Sequence, residues 1–98
     1  MSRIPDTVVA AVLDRAGYYC EVGGLPLSRF ELHHRKNRGT GGKGPLDFAE
    51  NLLAVHPRCH AAIHAQPDRA YVLGWLVHTN EDPLEVPVRL MPGLCVVQ

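Results

Sequence analysis

The chain has 98 residues, enough for one small domain, and its apolar fraction of 46% fits a folded globular protein. Ten lysines and arginines balance ten acidic residues, and this formal net charge of zero argues mildly against a general nucleic-acid binder. No apolar run is long enough to cross a bilayer, no secretory signal is recognised, and three cysteines at irregular spacing do not suggest a disulfide framework. We therefore expect a cytoplasmic protein with no membrane partner.

The first predicted element is a helix. Asp6 or Thr7 can cap it, apolar residues recur at helical spacing through Ala16, and Gly17 closes it. Residues 18–27 are rich in turn-forming side chains and predict a turn.

Two short strands separated by a loop are predicted next. Residues 30–33 alternate apolar and polar side chains, which is typical of a strand. Residues 38–45 contain four glycines and predict a loop, because glycine at this density costs too much entropy in a regular element. Residues 51–56 form the second predicted strand.

The rest of the chain predicts two helices and two extended segments. Pro57 stands where the second helix begins, since its missing N–H is harmless there. Asp68 can cap a third helix that ends at Gly74. Residues 75–78 and 86–90 are predicted to be extended.

Metal-binding residue types concentrate in the middle of the chain. His60 and His64 are four residues apart on the second predicted helix, so they share one face and can bind one metal ion. The pair His33-His34 ends the first predicted strand, and Asn51 begins the second. Neighbours in a strand point to opposite faces, so these residues alone leave open which histidine of the pair faces the metal.

Four short motifs carry these residues. They are Glu31-Leu32-His33-His34-Arg35, Asn51-Leu52-Leu53, His56-Pro57-Arg58-Cys59-His60 and Ile63-His64. Together they resemble the HNH endonucleases, with histidine spacing similar to that of colicin-type nuclease domains. A weaker similarity to small HNH proteins of actinobacterial phages lies in residues 74–77 and 82–83. The resemblance implies an α+β fold: one domain, residues 1–98, whose ββα-metal (His-Me finger) core covers about residues 20–66, with an N-terminal helix and C-terminal helix and strand additions.

The resemblance also implies residue roles. His33, His60 and His64 are expected to bind a divalent metal ion, His34 to act as the general base, and Asn51 to hold the loop between the strands and help orient that base. The implied activity is hydrolysis of DNA phosphodiester bonds with low sequence specificity, leaving a 5′-phosphate and a 3′-hydroxyl. Three imidazoles favour Zn²⁺, Ni²⁺, Co²⁺ or Mn²⁺ over Mg²⁺, and the identity of the ion stays open.

Basic residues flank the predicted glycine-rich loop. Five positive residues against one negative residue between positions 29 and 43 give this stretch a local balance of +4. Contact with DNA phosphates is predicted for four of them, and an ordinary solvated loop is the alternative. These four are Arg35, Lys36, Arg38 and Lys43.

Cysteines suggest the remnant of a second metal site. Many HNH proteins hold a structural zinc with two Cys-x-x-Cys pairs, and here Cys20, His56 and Cys59 stand at three of the four positions, with Gly23 at the fourth. Structural zinc normally takes four ligands, so we interpret the site as lost, with a surviving zinc as the alternative.

Two other functions compete with the nuclease. One is a non-catalytic DNA-binding module and the other a zinc-stabilised interaction module, each serving a phage packaging or repair complex. The expected partners are DNA and, from the weak phage similarity, a terminase or another packaging protein, which would place the chain in the host cytoplasm.

Overall fold

A computed structural model describes residues 4–37 and 46–89. Within these ranges the chain is a small mixed α+β domain with three α-helices and a two-stranded sheet. Its elements in chain order are α1 (Asp6–Ala16), β1 (Glu31–His34), a 3-10 helix (Ala49–Asn51), β2 (Leu52–Val55), α2 (Pro57–Ala65) and α3 (Pro67–Leu73). The predicted glycine-rich loop, residues 38–45, lies outside the described ranges. No helix within them is long and apolar enough to span a membrane.

The two strands pair antiparallel and form a hairpin. His33 lies opposite Leu53, and His34 lies opposite Leu52. Because successive side chains of a strand point to opposite faces, the sheet presents one histidine on each face. The first strand thus contains the histidine pair that the sequence predicted at its end.

Strand β2 is the centre of the core, and all four of its residues are buried. Leu53 and Val55 pack on one face in the cluster that includes side chains of α2 and α3. Leu52 and Ala54 pack on the other face against Val12 of α1. Each fully buried aliphatic side chain contributes about 1.5–3 kcal/mol, so this strand between two helical layers stabilises the whole domain.

All three predicted helices form, but two of the predicted caps are wrong. Pro5 occupies the N-cap of α1 with no side-chain cap, and its carbonyl oxygen accepts the first hydrogen bonds of the helix. Asp6 therefore lies inside the first turn, where its negative charge still complements the helix dipole. Likewise Gln66 precedes α3, and Asp68 lies in that helix's first turn.

Helix α2 begins as the sequence predicts, with Pro57 in its first turn. Its N-cap is His56, whose Nδ1 accepts a hydrogen bond of 3.1 Å from the backbone N–H of Arg58. This bond satisfies one of the backbone N–H groups that a helix start leaves unpaired.

Residues 75–89 contain no regular strand, so the predicted C-terminal strand additions do not form in the described part of the chain. Val77 makes one isolated bridge, donating its N–H to the carbonyl of Arg35 at 2.8 Å. Pro87 stands inside the second predicted extended segment and has no N–H to continue a ladder. The segment is attached instead through Arg89, whose N–H donates to the carbonyl of Leu73.

An ion pair between an exposed arginine and a buried glutamate joins α1 to the outer edge of β2. The Arg15 guanidinium donates to both carboxylate oxygens of Glu21 at 2.7 Å and to the carbonyl of Leu52. Glu21 is 8% exposed and also accepts a hydrogen bond from the backbone N–H of Ala54. The edge of β2 that β1 leaves free is thereby paired, although no sequence pattern indicated it.

Gly17 and Gly74 end α1 and α3 as predicted, with φ of 63° and 80° respectively. The surroundings of the two glycines differ, so we expect substitution by alanine to lower the free energy of unfolding by different amounts. A Cβ at Gly17 meets nothing within 4 Å, so Gly17→Ala should cost only the left-handed strain, about 1–2 kcal/mol. A Cβ at Gly74 would lie 2.0 Å from the carbonyl oxygen of Pro87, and this clash adds about 1–3 kcal/mol to the same strain. Urea unfolding of both variants measures the difference, and equal losses would show that residues 74 and 87 do not pack this closely in solution.

Candidate metal centre

Three histidine side chains meet where β1 packs against α2. The ligand nitrogens of His33, His60 and His64 all lie within 4.8 Å of one another. Their ring centroids are separated by 5.0 to 5.4 Å. Across residues 4–37 and 46–89, no other group of three histidine, cysteine or acidic side chains lies close enough to hold a metal ion. The structure thus brings together the three histidines that the resemblance implied as ligands, at distances at which they could hold a metal ion.

A hydrogen bond to the backbone fixes the orientation of the His33 ring. Its Nε2–H donates to the carbonyl oxygen of Trp75 at 2.7 Å, which leaves Nδ1 as the nitrogen with a free lone pair. Burial is the main cause that lowers the pKa of His33 to about 4; the hydrogen bond to Trp75 opposes this shift, and the neighbouring histidines add to it. The imidazole is therefore neutral at physiological pH, the form in which histidine binds metals.

His60 is oriented by a carboxylate. Its Nδ1–H donates to Glu31 Oε1 at 2.7 Å, so Nε2 is the nitrogen left to bind a metal. The sequence motif included Glu31 but gave it no role. Glu31 and His33 are two residues apart on β1 and therefore lie on the same face of the sheet, a spacing that could have predicted this contact.

The donor set fits a divalent metal ion. Three imidazole nitrogens suit zinc and the other borderline transition metals. Histidine ligands in metal sites usually donate their second N–H to a carbonyl or a carboxylate, as His33 and His60 do here. His33 is 2% exposed, whereas His64 is on the surface, so the cluster opens to solvent on the side of His64.

His34 lies on the opposite face of β1, away from the three-histidine cluster. Its Nε2–H donates to Asp47 Oδ1 at 2.7 Å, and both side chains are mostly buried, with 19% and 15% exposed. This contact fixes the tautomer and leaves Nδ1 as the proton acceptor. Asp47 was not predicted from the sequence, where it is one acidic residue following the glycine-rich loop.

Asn51 is fully buried and joins the two ends of the segment 38–45. Its side-chain oxygen accepts the N–H of Lys36 at 2.8 Å, and its amide donates to the carbonyl of Leu46 at 3.0 Å. Asn51 therefore links Lys36 to Leu46, the residues before and after this segment that it contacts. The direct hydrogen-bond partner of His34 is Asp47 rather than Asn51, so any influence of Asn51 on that histidine is indirect.

Arg35 does not lie at the surface, where the predicted contact with a DNA phosphate would require it. The residue is 4% exposed, and its guanidinium donates to four backbone carbonyls. These carbonyls belong to Glu50, Gly74, Pro83 and Val86. Burial also lowers the pKa of the guanidinium, which has only carbonyl oxygens as hydrogen-bond acceptors. Its donors are committed to the backbone, so Arg35 holds the fold and is not available to DNA.

Of the other three residues predicted to contact phosphates, Lys36 lies within the described ranges. Lys36 is half-buried, and its ammonium donates to the carbonyl of Glu81 in an exposed contact at 3.0 Å. Arg38 and Lys43 lie outside the described residues.

Cys20, His56 and Cys59 do not form a cluster of metal-ligating atoms in the described part of the chain. Cys20 and Cys59 are buried in the same hydrophobic cluster, and the sulfur of Cys20 accepts the N–H of Gly23 at 3.3 Å. The Nδ1 of His56 caps α2. Cys59 is disulfide-bonded, contrary to the expectation from the spacing of the cysteines, so of these three residues Cys20 packs in the core, His56 caps a helix and Cys59 is in a disulfide.

Comparison with known proteins adds no relative: no family model matches the chain, and neither does any curated protein. The resemblance to HNH endonucleases accordingly rests on the motif residues alone. The geometry around the histidines is an independent observation and can be tested directly.

The carboxylate behind His60 should tune metal affinity. We expect Glu31→Gln to weaken binding about 10–100-fold, because removing such an outer partner loosens the orientation of the ligand. Glu31 has a half-exposed side chain, so the fold should remain intact. Zinc titration against a chromogenic chelator measures the affinity, with the exposed Glu85→Gln as control. Equal affinity of the two variants would show that Glu31 does not act on the site.

Arg35 should matter for stability rather than for charge. Arg35→Lys keeps the positive charge but cannot reach four carbonyls, so we expect a loss on the order of 3 kcal/mol in the free energy of unfolding. The exposed Arg58→Lys on α2 should stay within about 0.5 kcal/mol of the parent. Urea unfolding compares the two variants. Unchanged stability of Arg35→Lys would return Arg35 to the candidates for phosphate contact.

Proposed function

We propose that the protein is a metal-dependent HNH endonuclease that hydrolyses phosphodiester bonds in DNA. The observation that carries the proposal is the placement of four histidines around β1. His33, His60 and His64 converge on one face of this strand, and His34 lies on the other beside Asp47. Metal-assisted phosphodiester hydrolysis uses a bound metal ion and a base that activates water, and adjacent residues of β1 supply one candidate for each.

The element order supports a ββα-metal core for this enzyme. An antiparallel hairpin is followed after one residue by a helix, and that helix carries two of the three candidate ligands. A ligand on the first strand and two ligands on the helix then face each other across a short distance.

His33, His60 and His64 are the residues that would hold the ion. When bound there, a divalent metal would polarise a non-bridging phosphate oxygen and stabilise charge on the departing 3′ oxygen. The neutral imidazoles favour Zn²⁺, Ni²⁺, Co²⁺ or Mn²⁺, and Mg²⁺ remains among the ions to be tested.

His34 is proposed to activate the attacking water. The water oxygen forms a bond to phosphorus, its proton passes to Nδ1 of His34, and the bond from phosphorus to the 3′ oxygen breaks. Asp47 holds the opposite nitrogen and stabilises the imidazolium that forms, as a carboxylate does for a catalytic histidine in other hydrolases. The products carry a 5′-phosphate and a 3′-hydroxyl, the latter after protonation of the leaving oxygen by solvent.

DNA is the proposed substrate, and phage packaging is the proposed setting. The local excess of positive charge between residues 29 and 43 supports contact with a polyanion, although Arg35 no longer contributes to it. A terminase or another packaging protein stays a predicted partner that follows only from the weak phage similarity.

Cleavage of supercoiled plasmid, with each of the five metals added separately, tests the function. We expect metal-dependent conversion to open-circle or linear DNA. His34→Ala should lower the rate by about 10²–10⁴, the usual contribution of general base catalysis, while metal binding is retained. Asp47→Asn should lower the rate by less, because the imidazole remains able to accept a proton.

The matched control is His56→Asn, which removes an imidazole outside the cluster and keeps a side chain that caps helices well. Its cleavage rate should equal that of the parent. Full activity in His34→Ala would exclude that residue as the base. Failure of all metals to support cleavage, with DNA still retained on a gel, would favour the non-catalytic DNA-binding module.

A further inference from the structure

Two exposed aromatic rings form a stack that the proposed chemistry does not use. The rings of Tyr71 on α3 and His78 lie 3.8 Å apart and are parallel to within 3°. Tyr71 is 36% exposed, and His78 is also on the surface. A parallel pair of this kind offers a flat π-face to a further ring.

The chain connects this stack to the histidine cluster. The carbonyl of Trp75 holds the ring of His33, and the N–H of Val77 bonds to the carbonyl of Arg35, so residues 75–77 lie beside the end of β1 and the residues that follow it. His78 is three residues beyond Trp75, a distance of at most about 10 Å along an extended chain. On its other side, α3 packs against α2, the helix that carries His60 and His64.

The charges beside the stack disfavour a phosphate there. The carboxylate of Glu81 accepts the backbone N–H of His78 at 3.2 Å, and Asp82 follows it. These acids repel the backbone of a nucleic acid, whereas they do not repel the face of a base. A strand that passes the stack would therefore present its bases to it, and every base has a π-face that aromatic side chains can bind.

We propose that the Tyr71–His78 stack binds an unpaired nucleobase of the strand that is cleaved. The preferred substrates would be DNA with unpaired bases, such as single strands or flaps, because bases within a duplex are already stacked on each other. The bound base would lie on the side of the domain where residues 75–78 lead away from the Trp75 carbonyl that holds His33. The assignment of this base to the strand that is cleaved rests on the proposed nuclease function, while binding of the base can be measured without cleavage.

The test uses the full chain in a chelator, so that nothing is cut. Fluorescence anisotropy gives the affinity for a labelled 15-nucleotide oligothymidine and for a duplex of the same length. We expect Tyr71→Leu to weaken binding of the single strand about tenfold and to leave the duplex unchanged, as expected for the loss of one stacked base. Tyr71→Phe keeps the ring and should bind like the parent. Val72→Ala, the next residue on α3 and 84% exposed, is the matched control.

A second measurement on the parent protein keeps the proposal testable if Tyr71→Leu does not fold. An oligonucleotide with one 2-aminopurine should lose fluorescence at one position when the protein binds, and His78→Ala should restore it. Unchanged 2-aminopurine fluorescence at every position, or equal single-strand affinity of a folded Tyr71→Leu variant, would overturn the proposal. Single-strand binding that depends on Tyr71 without cleavage by any metal would support the base site and reject the nuclease. Metal-dependent cleavage together with single-strand binding that does not depend on Tyr71 would support the nuclease and overturn the base site.

Discussion

The structure depends most on the guanidinium of Arg35. This side chain binds carbonyls before β2, after α3 and in the C-terminal segment, and its own backbone N–H donates to the carbonyl of Asn51. Trp75 lies next to one of the bound residues, Gly74, and the Trp75 carbonyl in turn holds the ring of His33. One buried cation thus fixes the backbone against which a candidate ligand is oriented. Because its acceptors are neutral carbonyls, it carries out this role without a buried carboxylate partner.

The alternation of a β-strand explains how two adjacent histidines take different roles. His33 and His34 lie on opposite faces of β1, so one is directed to α2 and the other to Asp47. A helix could not separate neighbours in this way, whereas its four-residue spacing does bring His60 and His64 together. The hairpin followed by a helix therefore uses both periodicities within about thirty residues to surround a single strand with imidazoles.

Features that depend on neighbours in the chain were predictable. Pro57 and the glycines after α1 and α3 mark helix ends, and the spacing of His60 and His64 predicted a shared face. Features that depend on folding were not. Asp47 and the carbonyl of Trp75 reach their histidines across 13 and 42 residues, and no local pattern encodes such distances. The sequence predicts an exposed side chain for Arg35 because other basic residues are close to it in the chain. The tertiary fold nevertheless buries this side chain.

The carboxylates that bind the histidine rings also help to explain how a chain with no net charge could bind an anionic substrate. Glu31 and Asp47 each accept a hydrogen bond from one N–H of a histidine. Each carboxylate therefore lies behind a ring, and the lone pair of the other ring nitrogen points away from it. Such a carboxylate fixes the orientation of the ring, while the ring separates the negative charge from a phosphate that approaches the opposite nitrogen. The affinity of the proposed site for a phosphodiester then depends on the cation held by three neutral ligands rather than on an excess of lysine and arginine. A formal charge of zero is compatible with that arrangement.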